Sequence, residues 1–121
     1  MVAAPPPCAL VTAADVKATV GAAPGTPQAQ TLGLFKSCTY RAGSATVTFQ
    51  TRQIDRGTFV KSAKANPGPV KPVAIPGATA FSAAGPTLLV WKHGTAVTVL
   101  VLGGKALAAE KQLAARALAR L

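Results

Sequence analysis

General acid and base catalysis needs a placed carboxylate or histidine, and the chain offers only Asp15, Asp55, Glu110 and His93. Asp15 follows Thr12 by three residues and Asp55 directly precedes a helical stretch, so both read as helix-start residues that hold backbone N–H groups. His93 lies between two apolar runs, where it reads as a turn residue rather than a base. An enzymatic reading would need His93 and Glu110 to meet in a cleft. Ser37, Ser44, Ser62 and Ser82 occupy no nucleophile-elbow sequence, and no G-x-x-x-x-G-K-[ST] loop is present to cradle a phosphate. The expectation is a protein that is not an enzyme, with no catalytic residue, cofactor or metal.

Cys8 and Cys38 are too few and too far apart for a zinc site, and no Cys-x-x-Cys or Cys/His cluster accompanies them. They read as a structural disulfide, against the alternative of two unrelated buried thiols. Closing such a loop contributes on the order of 3 to 4 kcal/mol in the chain-entropy model and implies an extracytoplasmic compartment.

Thirteen Lys and Arg face three acids, for a formal net charge of +10. Self-repulsion on that scale favours a monomer and attraction to polyanions. The bases are dispersed, and only Lys61 with Lys64 and Arg116 with Arg120 repeat at helical spacing. Specific nucleic-acid recognition would need bases interleaved with stacking aromatics, for which Tyr40-Arg41 and Trp91-Lys92 are the only pairs. In a strand such neighbours face opposite ways, which sends the aromatic to the core and the base to water. No specific nucleic-acid partner is expected.

The elements that must position these side chains are organised around Thr87 to Leu102, TLLVWKHGTAVTVLVL, two apolar runs joined at His93-Gly94 as a hairpin. Leu88, Val90, Val97, Val99 and Val101 belong to it. Before it, Met1 to Pro7 is an Ala/Pro segment expected to be a disordered tether. Thr12 to Val20 is a short helix capped by Thr12, stapled by Val11 and Val16 and ended by Gly21, and GAAPGTPQAQ is a loop. Leu34 to Arg41 and Ala45 to Arg52 are strands. In the second, Ala45, Val47, Phe49 and Thr51 alternate with Thr46, Thr48, Gln50 and Arg52, the pattern of a sheet with one wet face. Asp55 caps a helix to about Ala65 with Phe59, Val60 and Ala63 as its apolar stripe. NPGPVKPVAIP can be a loop or an edge strand around Val70 to Ile75. Ala78 to Ala83 is a strand that turns at Gly85-Pro86 into the hairpin, and the Ala- and Leu-rich C-terminus is a helix folding back over the sheet.

Glu110 is the only acid without a capping role. At about 100° per residue, Leu113, Ala106, Ala117, Leu121, Ala114, Leu107 and Leu118 share an arc of about 140° that also contains Glu110. A carboxylate there must snorkel, find a partner such as the Trp91 indole or Lys92, or line a cavity where a ligand's polar group meets it. Glu110 and Trp91 are therefore the candidate ligand-pocket residues. No stretch reaches the roughly 18 to 20 apolar residues of a membrane span. No charged segment followed by an apolar run precedes Cys8, so a secretion signal, if encoded, is expected to have been removed.

The segments PPPCALVTAADVKATVG, SCTYRAG and VAIPGATAFSAAGPTLLVWKHGTAVTVLV, with the C-terminal helix, together resemble the actinobacterial lipoprotein family catalogued as domain of unknown function 3558. That resemblance covers nearly the whole chain. Such proteins show Pro-Cys-Ala-Leu before a short helix, a cysteine followed two residues later by an aromatic (here Cys38 and Tyr40), a Pro-Gly-x-x-Asp-x-Ala-like stretch and a Lys-x-Gly-x hairpin. The resemblance implies a secreted or lipid-anchored envelope protein, a Cys8 to Cys38 disulfide and helices covering one antiparallel sheet, with no particular chemistry. The chain departs from the pattern at Pro76-Gly77-Ala78-Thr79, where an acid is often found, and in lacking a lipobox cysteine, which leaves a membrane tether through a further N-terminal segment open.

The resulting expectation is a tether over 1–7 and one α+β domain over 8–121, a single antiparallel sheet of about five strands with helices at 12–20, 55–65 and 104–120 packed on it. Its expected role is a non-catalytic, extracytoplasmic binding or structural module for an unidentified small ligand or envelope partner. The alternative is a cationic surface protein that binds anionic envelope polymers or nucleic acid without specificity.

Overall fold

The computed structural model describes residues 7–33, 35–65, 70–83, 87–102 and 106–120, which form four helices and one sheet. The expected tether, apart from Pro7, the Gly85-Pro86 turn, Leu34 at the start of its expected strand, Gly104 and Lys105 of the C-terminal helix, and Leu121 lie outside the described residues. Pro7 opens the first helix, α1 (Pro7–Leu10).

The central hairpin forms as its turn residues dictate. Strands β6 (Thr87–Lys92) and β7 (Thr95–Leu102) close at the Lys92↔Thr95 pair. Between them His93 and Gly94 take φ of 50° and 79°, the two positive angles of a type I′ turn whose twist matches that of the strands. A second hairpin joins β2 (Phe35–Ala42) to β3 (Ala45–Gln53), with Gly43 supplying the positive φ its tight turn needs.

Seven strands make one antiparallel sheet in the order β1-β2-β3-β7-β6-β5-β4, so β7 is the middle strand. Two strands bring the sheet from about five to seven: β1 (Gln28–Leu32), which was not expected, and β4 (Lys71–Pro72), which takes the edge-strand alternative for Val70 to Ile75; they lie at opposite edges, with β5 (Thr79–Ala83) between β4 and β6. The segment expected as a loop up to Gln30 thus enters β1 at Gln28. QAQTL shows no clear apolar alternation because an edge strand is held chiefly by ladder hydrogen bonds to one neighbour. β4 falls inside the proline-rich stretch, where only an edge tolerates Pro72.

Register sorts the side chains onto two faces. One carries Cys38, Tyr40, Val47, Phe49, Val97, Val99, Val101, Leu88, Val90 and Ala80, all buried. Helices α1, α2 (Ala13–Val20) and α4 (Ala106–Leu118) cover it, and together with Val11 between the first two they add Leu10, Val16, Leu113, Ala114, Ala117 and Leu118 to a single core. The opposite face carries Thr46, Thr48, Gln50, Arg52, Ala96, Thr98, Leu89 and Trp91. It was expected to be wet, yet α3 (Arg56–Lys64) lies against part of it, burying Phe59 and Ala63, with the Phe59 ring 6.1 Å from that of Phe81. The stripe on α3 needs an apolar floor, and Leu89, Ala96 and Phe81 provide one.

Candidate functional site

The two cysteines meet. Cys8 in α1 is bridged to Cys38 in β2, with an S–S distance of 2.01 Å and a Cα–Cα distance of 5.4 Å. The bridge is one of several ties across the helix-covered face. Two residues along β2 on the same face, the Tyr40 hydroxyl donates to the Val11 carbonyl at 2.7 Å. Thr12 caps α2 through a reciprocal capping box in which Thr12 Oγ1 accepts from the Asp15 N–H and the Asp15 carboxylate from the Thr12 N–H, and Gly21 ends the helix at a φ of 89°.

Asp15 does more than cap. It is 3 % exposed and accepts from Arg116 at 3.0 Å and Arg120 at 2.6 Å, which joins α2 to the C-terminal segment. Arg120 also donates to the Leu10 carbonyl. Burial alone would raise the Asp15 pKa, but hydrogen bonds from Arg120, the Thr12 N–H and Arg116 outweigh it and hold the carboxyl well below the usual range.

Glu110 lies inside α4 at 1 % exposure. The β6 ladder ends at Thr87↔Leu100, and Glu110 Oε2 accepts the Val101 N–H just beyond it at 3.1 Å. Burial pushes its pKa up to about 7, against the lowering effect of that hydrogen bond.

Trp91 does not join Glu110. It pairs with Ala96, on the sheet face opposite the helical core, and its indole N–H donates to the Ile54 carbonyl at 2.7 Å, bracing the turn into α3. Lys92 shares the helical side with Glu110 but donates to the Leu118 carbonyl at 3.0 Å. The expected grouping of Glu110 with Trp91 is therefore corrected: successive strand residues point to opposite faces, and the sheet stands between the two.

The α3 side holds a groove of about 220 Å³. Its floor is three adjacent strands in register: Gln50, Thr98 and Leu89 in one row, Arg52 and Ala96 in the next. Phe59, Ser62 and Ala63 of α3 form one wall and Phe35 of β2 another. The Arg52 guanidinium sits over the Phe35 ring, 5.1 Å from its centre, and is the only charged side chain in the lining. Asp55 lies outside the lining, its carboxylate accepting from the Thr58 N–H at 2.8 Å and the Thr58 hydroxyl at 2.7 Å, which lowers its pKa. Among the described residues both salt bridges belong to Asp15, so Arg52 has no carboxylate partner there. One cation, one amide and the Ser62 and Thr98 hydroxyls can orient a ligand by charge and hydrogen bonding while the apolar wall takes its body.

Gln50, Arg52 and Thr98 were not singled out from the sequence as site residues. The alternation of β3 does put Gln50 and Arg52 on its polar side, and the unfilled need of the α3 stripe for a floor is the signal that could have turned that side into a groove.

Among the described residues no helix is long and apolar enough to cross a membrane, and no three His, Cys, Asp or Glu side chains gather as a metal site would require. Comparison of the chain with protein-family models, curated proteins and solved structures finds no match.

Proposed function

We propose that this protein is a non-catalytic, extracytoplasmic binding module of the cell envelope, and that it holds a small ligand in the groove between α3 and the sheet. The observation that carries this reading is the composition of the groove: apolar surface from Phe35, Phe59, Ala63, Leu89 and Ala96 beside a few convergent polar groups around one cation, Arg52, that has no carboxylate partner among the described residues. The Cys8 to Cys38 bridge favours an oxidising compartment, and the resemblance to the secreted lipoprotein family points the same way. The test is a fragment screen by methyl-resolved NMR on the full chain. Hits should move Leu89, Ala96 and Ala63; a screen of several hundred fragments that moves none of them would remove the groove from consideration.

A second reading is supported by the charge. Of thirteen cationic side chains, only Arg116 and Arg120 pair with a carboxylate among the described residues, which leaves a surplus for anionic polymers. Lys17 and Lys111 belong to the helical layer while Arg56, Lys61 and Lys64 are on α3, so the charge is spread over both faces rather than drawn into a stripe. Heparin or DNA binding that falls steeply and together with rising salt matches this reading; sequence-dependent binding at high salt contradicts it.

A further inference from the structure

We infer that the groove beneath α3 takes a small amphiphilic monocarboxylate, its head group on Arg52 and its aromatic or branched apolar body against Phe59, Leu89 and Ala96. This rests on the groove being a binding site at all, and adds the chemical class of its ligand.

Size sets the first limit. A groove of about 220 Å³ holds the liquid volume of about seven waters. That is below the roughly 300 to 1,000 Å³ of pockets that enclose drug-sized ligands, so one ring or one short branched chain with a head group fills it.

Charge sets the second. Arg52 is half-buried and braced over Phe35, which reduces the freedom it would lose on gripping a ligand. The three acidic side chains are all engaged elsewhere: Asp15 and Glu110 on the other side of the sheet, Asp55 in its own helix cap. With no carboxylate among the described lining residues to neutralise Arg52, the complement is an anion, and a cationic ligand would be repelled. The lining supplies a single cation, whose planar fork matches the two oxygens of a carboxylate. A phosphomonoester would bring about two charges to that one partner.

Hydrogen bonding sets the orientation. Gln50 lies two residues from Arg52 on the same strand face, about 7 Å away along β3, and Thr98 sits directly across from Gln50. Both can converge on the head group held by Arg52, which leaves Phe59, Leu89 and Ala96 for the apolar body.

The test uses the full chain with four probes: phenylacetate, 4-methylpentanoate, phenylacetamide and phenethylammonium, titrated by calorimetry and by methyl NMR. Phenylacetate should bind about tenfold more tightly than phenylacetamide, the difference between a charge-assisted and a neutral hydrogen-bonded head group, and the ammonium probe should not bind. 4-Methylpentanoate should follow phenylacetate, and the preference for carboxylate should shrink as salt rises. In Arg52→Gln phenylacetate should fall to the affinity of the amide, whose own affinity stays put, and Arg52→Lys should lie between. Equal binding of acid and amide in the groove would overturn the ligand class and leave the binding module standing. A carboxylate preference that survives Arg52→Gln would overturn the role of Arg52. Failure of all four probes to move Leu89 and Ala96 would overturn both the class and the groove.

Discussion

The two faces of one sheet are held in opposite ways. On the helical face, the valines of β3, β6 and β7 with Leu88 and Phe49 are sealed beneath three helices, and the N-terminal pair is tied down by the Cys8 to Cys38 bridge, the Tyr40 hydroxyl and the Asp15 cluster. On the other face a single nine-residue helix, braced at its start by the Trp91 indole, lies over a mixed surface in which Leu89 and Ala96 sit beside Gln50, Arg52 and Thr98. Leu88 and Leu89 mark the contrast: adjacent in β6, the first is fully buried and the second half-buried in the groove lining. The ties gather on one face, and the other carries Arg52, which has no carboxylate partner among the described residues, and a gap beneath a helix. The proposed site in that groove draws on the less tied part of the fold.

Removing ties should expose this asymmetry, most strongly at the disulfide. Replacing both cysteines by serine opens a connection spanning 30 residues and should cost about 3 to 4 kcal/mol in urea denaturation. A loss under about 1 kcal/mol would mean that the remaining ties already hold the helices. Next comes Asp15→Asn, which leaves two arginines without their carboxylate and should cost roughly 2 to 3 kcal/mol at pH 7. The folded pKa of Asp15 lies below its ordinary 3.8, so its contribution is present above that value and is lost as pH falls through the folded one. The gap between parent and variant should therefore narrow in acid.

Glu110 should behave in the reverse sense. Its pKa rises from 4.5 to about 7 on folding, so its contribution is present below 4.5 and lost as pH rises through 7. Between those values the parent should lose stability by up to about 1.4 kcal/mol per pH unit, and Glu110→Gln should flatten that slope; an unchanged slope would show that the carboxylate is already ionised in the fold. The smallest effect belongs to the open face: Arg52→Gln should alter unfolding stability by no more than about 0.5 kcal/mol. A larger loss would make Arg52 a structural residue and blur the contrast between the faces.

Much of this was legible in local chemistry. His93-Gly94 specifies its turn, Thr12 with Asp15 its cap, Gly21 its helix end, and β3 announces its two faces by strict alternation. Strand β1 was not, because an edge strand such as QAQTL is held chiefly by ladder hydrogen bonds and needs no apolar alternation. The role of Asp15 as an ion-pair hub depended on Arg116 and Arg120, more than 100 residues away in sequence. The sides of Glu110 and Trp91 hinged on where α4 lies. Even so, grouping Leu88 and Val90 with the core already implied by parity that Trp91 faces the other way, and that inference could have been drawn from the sequence.

The most direct test of the two-face account follows the Leu88 and Leu89 methyl groups during a titration with phenylacetate. The account predicts that Leu89 shifts progressively and saturates while Leu88 and Leu113 hold still. Movement of Leu88 and Leu113 with Leu89 unchanged would place the ligand under α4 beside Glu110 and contradict it.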